Sequence, residues 1–164
     1  TFDAGPDPIQ TPKVLKVLRE KHIPACFFCI GNKIKGNEEL LRQIIKEGHR
    51  IGNHSFSHSG YFPLYTFKRM CHDLITCQQE LEKVTGQPVR WFRPPFGVTN
   101  PTLAKAVRRL GYIPIGWNIR TLDTQQPTPE KIIKHIKKRL RAPSFCYMTG
   151  CPIVTGCWYK FWTL

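Results

Sequence analysis

Short apolar runs alternate with amphipathic stretches along this chain, and the connectors between them are short. That order leaves room for little except parallel strands covered by helices. Ala25 to Ile30 is an unbroken apolar run closed by Gly31, the pattern of a strand buried on both faces. Arg50 to Asn53, Val89 to Phe92 and Tyr112 to Trp117 predict further strands. Apolar residues at helical spacing predict a helix from Thr11, as N-cap before Pro12, to Glu20. A second is capped by Asn37 and stopped by Gly48, and a third runs from Leu64 to Val84 before Gly86. The last two run from Pro101 to Leu110, capped by Thr99 or Asn100, and from Pro129 to Arg141 with Ile132, Ile133, Ile136 and Leu140 inward. The opening Thr1-Phe2-Asp3 reads as the tail of a strand that starts upstream. The class is α/β, as a barrel-like or open sheet, and chemistry in such sheets gathers at the carboxyl ends of the strands.

With 164 residues, 41% of them apolar, the chain is sized for one domain with a sizeable core. No run of about 18 apolar residues exists, so no membrane span is expected. There is no signal-peptide pattern. The formal net charge of +14 attracts polyanions such as nucleic acid, acidic cell-wall polymers or an anionic membrane surface. Most of that charge reads as solvated helix faces, with one dense run from Lys131 to Arg141. A nucleic-acid-binding domain has the charge it needs here but none of the fingerprints. The seven Cys are too irregular for a disulfide framework, and Cys26 and Cys29 read as small buried hydrophobes.

The unusual polar residues fall where strands are predicted to end. His54 and His58 are four apart; on one helical turn they share a face and can bind one metal ion, or they are ordinary structural histidines. Both lie in a Ser-rich loop, a poor place for a core histidine. Asp3, before Ala4-Gly5-Pro6, stands at a bend; it suits a general base to a metal-bound water, or a local turn cap. Arg93 opens Pro94-Pro95-Phe96-Gly97 at another strand end and suits pairing with that carboxylate. Asp123 stands at a fourth.

In this order the four signals resemble the polysaccharide deacetylase family (NodB homology domain, carbohydrate esterase family 4). Its T-F-D-D-G-P motif reads TFDAGP here, H-[ST]-x-x-H is met by His54 to His58, and R-x-P-[FY]-G by Arg93 to Gly97. Ala25 to Gly31 is similar to the family's "ATFFVIG" strand, and the match runs from residue 1 to about 141. The resemblance implies an incomplete, distorted (β/α) barrel and hydrolytic removal of N-acetyl groups from N-acetylated sugar polymers, chitin-like or peptidoglycan. It implies a divalent metal, zinc foremost, held by His54 and His58, with Asp3 as base and Arg93 as the base's partner. Pro95 and Phe96 would bind substrate, the Phe96 N–H helping with the oxyanion, and Trp117 would line the acetyl pocket. Asp123 would orient either Arg93 or a catalytic His. A monomer, secreted or in the cell envelope, with no nucleic-acid partner, is expected.

Two departures bear on activity. Ala4 replaces the family's metal-ligating Asp, and a methyl group donates nothing. Either two His with extra water hold the metal weakly, or Asp3 is recruited as ligand and stops being a free base. The loss should exceed the roughly 10- to 100-fold typical of an outer-shell partner. Next, the segment 142–164 lacks the family's closing G-S-I-I-L-L-H-D-G run with its general-acid His. Phe145-Cys146-Tyr147-Met148-Thr149, regrouped from the third base of each codon, reads Leu, Leu, His or Tyr, then Asp, whatever codons are used. A frameshift near Arg139 to Arg141 is the expectation, with the deacetylase domain spanning 1–141 and the last strand and helix lost. A catalytically dead carbohydrate-binding relic is the alternative function.

Overall fold

The computed structural model describes residues 1–121, 128–139 and 146–147. Five strands form one parallel sheet in chain order: β1 (Phe2–Gly5), β2 (Cys26–Cys29), β3 (Arg50–Asn53), β4 (Trp91–Phe92) and β5 (Ile113–Pro114). A separate parallel pair joins β6 (Ile119–Arg120) to β7 (Cys146–Tyr147). Between strands run α1 (Gln10–Glu20), α2 (Glu38–Lys46), α3 (Phe67–Thr85) and α4 (Pro101–Leu110), with α5 (Pro129–Arg139) after β6. This is the parallel, helix-covered α/β architecture that the alternation predicts. The last strand was expected to be lost, yet residues 146–147 pair with β6; the rest of the segment beyond 141 lies outside the described residues.

β2 is buried at every position, as a strand covered on both faces must be, so its apolar run carries no alternation. Cys26 and Cys29 lie inside it, 5% and 0% exposed, and burial raises both thiols, Cys26 to about 12. They are core residues, as expected. One apolar cluster joins β1 and β2 to α1, α2 and α5 through Phe2, Phe27, Leu15, Leu41, Ile44 and Ile132. A second packs α3 on α4 through Met70, Leu74, Leu103 and Val107, with Phe92 and Tyr112.

Element boundaries differ from the pattern wherever side chains claim backbone groups. Asp7, not Thr11, starts α1: its Oδ1 accepts from the N–H groups of Ile9 and Gln10, and Thr11 sits inside the first turn. The third helix starts at Phe67 because Thr66 Oγ1 accepts from the Arg69 N–H; residues Phe62–Leu64 form a separate 3-10 turn. Val89 does not join β4, since its N–H goes to Glu82 Oε1 at 2.9 Å. β5 stops at Pro114 because the Arg93 side chain takes the carbonyls of Ile115 and Gly116. Leu140, expected on the inner face of the last helix, lies outside the described residues.

Candidate active site

The carboxyl ends of β1 to β5 lie along one edge of the parallel sheet, with β2 between β1 and β3, and that arrangement gathers residues far apart in sequence. Arg93 follows β4 directly and is fully buried. Its Nη1 donates to Asp3 Oδ1 at 2.8 Å and to Thr1 Oγ1 at 2.8 Å; its Nε and Nη2 donate to the carbonyls of Ile115 and Gly116 at 3.0 and 2.9 Å. The guanidinium carbon also lies 4.1 Å from the centroid of the Phe28 ring and 5.5 Å from that of Trp117. A buried guanidinium needs donors satisfied on every side, and this one ties β1 to the loop after β5. The pairing with Asp3 is the one the sequence suggests.

His54 leaves β3 and is 2% exposed. Its Nδ1 lies 2.8 Å from the Arg93 carbonyl, which can only accept, so Nδ1 carries the proton and Nε2 a lone pair. That Nε2 faces Asp3 Oδ2 at 3.7 Å. Burial lowers His54 to about 3, despite the opposing Arg93 carbonyl bond, and nearby His58 and Arg93 push the same way. The ring is therefore neutral, and two acceptor atoms confront each other. Burial lowers His58 as well.

The two histidines do meet, with ring centroids 5.0 Å apart, but not on a helix turn. Residues 54–58 form a loop in which Ser55 and His58 take positive φ values of 68° and 46°. Such backbone must be held from outside. Asn53 Oδ1 accepts from the Ser55 N–H, and Ser55 Oγ accepts from the His58 N–H. Asp73, on α3, accepts the Phe56 and Ser57 N–H groups on its two oxygens at 2.8 and 3.1 Å. Asn53 is itself fixed by donating to the Leu74 carbonyl and to the Tyr112 hydroxyl. Sequence reasoning missed Asp73, Asn53 and Tyr112. Asp73 carried a signal: it falls in the inward stripe of α3 with Met70, Leu74, Cys77 and Leu81, where a carboxylate needs a reason.

The turn after Arg93 presents Phe96, half-exposed with φ 58°, over the His58 ring at 4.7 Å. Pro95 is buried beneath the turn, so Phe96 is its outward residue. Trp117 closes on Gly97: at φ +70° a Cβ there would meet the indole at 2.3 Å, so both backbone and contact demand glycine. Asp123 lies outside the described residues.

The donor set for a metal is short. His54 Nε2 and His58 are imidazoles suited to zinc, but position 4 is alanine, and among the described residues no group of three or more His, Cys, Asp or Glu is assembled to hold an ion. The described residues do not make the three-ligand centre of a catalytic zinc.

Comparison with known proteins bears on the whole assembly. Residues 1–115 match the polysaccharide deacetylase family. A peptidoglycan-N-acetylglucosamine deacetylase of Bacillus cereus is 35% identical over 144 residues, 87% of this chain and 67% of that protein. A chitooligosaccharide deacetylase of Azorhizobium caulinodans is 34% identical over 154 residues, 93% of this chain and 73% of that protein. Among solved structures, a family 4 carbohydrate esterase from Streptomyces lividans in complex with acetate superposes with a TM-score of 0.89 at 25% identity, over 98% of this chain and 82% of that one. A CE4 family pseudoenzyme from Bacillus anthracis shares the fold at TM-score 0.91 and 22% identity, over 99% of this chain but 57% of its own.

Proposed function

Because this chain belongs to the polysaccharide deacetylase family, we propose that its chemistry is hydrolysis of the acetamide of N-acetylated sugar polymers, chitin-like or peptidoglycan, in impaired form. The products are acetate and a free sugar amine. One observation carries the reading: Asp3, Arg93 and His54 converge, Arg93 bonding Asp3 at 2.8 Å and His54 facing the same carboxylate at 3.7 Å. In this reading Asp3 takes a proton from the attacking water. Arg93 is its positioning partner, fixing the carboxylate through Oδ1 so that Oδ2 faces the reacting side. His54 and His58 are the remaining metal donors, and Phe96 and Trp117 flank the acetyl group. Asp123 orients Arg93 or a histidine. Zinc is the ion we assign, weakly held because Ala4 offers no lone pair. We also read residues 142–164 as out of frame, so that the family's acid histidine is missing; the surrounding DNA, read in the offset frame for Leu-Leu-His-Asp, decides that point. A secreted or envelope location and a monomeric state fit the same reading.

Ala4 favours a second reading, a carbohydrate-binding relic that holds glycan without turnover. Purified protein is to be assayed for zinc content, for binding of N-acetylglucosamine oligomers, and for acetate released from those oligomers and from peptidoglycan. Slow release that rises with added zinc supports the impaired hydrolase. Glycan binding with no acetate at any zinc concentration leaves the relic, and absence of both binding and release defeats both readings.

A further inference from the structure

At the opposite end of the sheet, where β3, β4 and β5 begin, a cavity of about 330 Å³ is lined by His49, Arg50, Arg90, Trp91, Thr85 and Gln87 among apolar side chains. No described carboxylate lines it. Three of its side chains are basic. Arg50 and Arg90 are exposed, and no described carboxylate pairs with either. The Arg50 guanidinium lies 5.0 Å from the centroid of the Trp91 ring, which restrains it as a flat donor fork. Arg90 runs beside Gly111, where a Cβ would stand 3.4 Å from Nη1, so the start of β5 limits its swing. His49 is 7% exposed, and neither ring nitrogen has a hydrogen-bond partner. Buried polar atoms in native proteins are almost always paired, so the His49 ring keeps hydrogen-bonding capacity in the cavity wall.

One acid, Glu47, acts on the His49 ring, and its Oε2 is buried without a hydrogen-bond partner. Glu47 lines only the neighbouring cavity that His49 also borders, and its Oε1 is taken by Arg19 and by Gln43 at 2.9 Å. Two guanidinium forks and a buried imidazole border one space, and no described carboxylate lines it. An oxyanion with lone pairs in several directions satisfies them together, where an amine, a cation or a neutral sugar does not.

We propose that this cavity is a phosphate-binding site, in which Arg50 and Arg90 hold the anion and His49 lines the inner wall. It is independent of the deacetylase reading, since it shares no residue with the candidate active site. A phosphate group can reach it as free phosphate or as part of a phosphodiester polymer, and two probes separate these sources. Inorganic phosphate and a glycerophosphodiester are titrated into the folded chain by calorimetry, with ionic strength held constant by chloride. Saturable binding of inorganic phosphate is expected, and Arg50→Gln and Arg90→Gln should each weaken it about tenfold, the loss of one charge-assisted pair. Lys137→Gln, an exposed cation on α5 that does not line the cavity, should change it by less than about twofold, because a surface charge outside the site contributes only a screened field. Both arginines are exposed, so the variants should fold, and their melting temperatures check this. Binding of the diester as well assigns a polymer-borne phosphate; binding of inorganic phosphate alone assigns the free anion. Absence of saturable binding overturns the proposal. So does a loss at Lys137→Gln equal to that at the arginines, which would mean diffuse attraction to a cationic protein.

Discussion

Arg93 and Asp3, 90 positions apart, are joined by a 2.8 Å bond between Nη1 and Oδ1, with both side chains all but removed from solvent. Charges in that position depend on each other. Removing one partner leaves the other buried and uncompensated, at a cost of about 3–5 kcal/mol. Arg93→Ala should therefore lower unfolding stability by that amount in urea titrations. A second test separates pairing from packing: adding Asp3→Asn to Arg93→Ala should recover part of the loss. Loss below about 1 kcal/mol in the single variant, or no recovery in the double one, would show that the pair is not the fold's electrostatic centre.

The histidine loop leans on Asp73. Asp73→Ala removes the acceptor for two N–H groups at once, Phe56 and Ser57, and should cost about 1–3 kcal/mol. Asp73→Asn keeps one acceptor and should cost less. Hydrogen exchange at the amides of residues 56 and 57 should accelerate in the Ala variant while the amides of α1 stay protected. Equal acceleration in both regions would mean that Asp73 serves global stability and not this loop.

Acid should weaken the fold through His54. Its value in the folded chain is about 3 against an ordinary 6.5. Between those values the unfolded chain binds the proton and the folded chain does not, so stability rises with pH across that window. The contribution is complete above 6.5 and drains away as pH falls toward 3. It amounts to a few kcal/mol, by the rule of about 1.4 kcal/mol per unit. Urea midpoints at about pH 7 and about pH 4.5 should separate more in the wild type than in His54→Gln, which cannot titrate. Equal separation in the two proteins would mean that the ring is not buried in its neutral form.

Restoring a carboxylate at position 4 should repair the donor set. On the proposed reading Ala4→Asp supplies a further ligand beside the two imidazoles, and zinc binding, followed against a competing chelator, should tighten by more than about 100-fold. Acetate release from N-acetylglucosamine oligomers should rise with it. Unchanged affinity would place the defect elsewhere than in the missing ligand.

Much of the molecule was legible in the linear chain. Val14, Leu15 and Leu18, or Leu103 and Val107, repeat with helical spacing because one side of each helix must be dry, and the unbroken Ala25 to Ile30 run could only be a strand covered twice. The motif residues Asp3, His54, His58 and Arg93 could be picked out because their chemistry is rare at strand ends. The sequence could also show what position 4 lacks, since an alanine side chain has no lone pair in any fold.

Proximity was decided only by the tertiary structure. Which carboxylate Arg93 would meet, that His54 would spend Nδ1 on the Arg93 carbonyl, and that Asp73 would hold a loop some 16 residues away all follow from the order in which parallel strands and their helices stack. Local propensity cannot encode that order. The histidine pair shows the limit most clearly: i and i+4 spacing suggests a helix turn, yet side-chain acceptors on Asn53, Ser55 and Asp73 outcompete it and fix a loop with positive φ. Those bonds exist only once β3 and α3 have packed. Spacing along the chain therefore named the groups, and burial against distant partners set their geometry and charge.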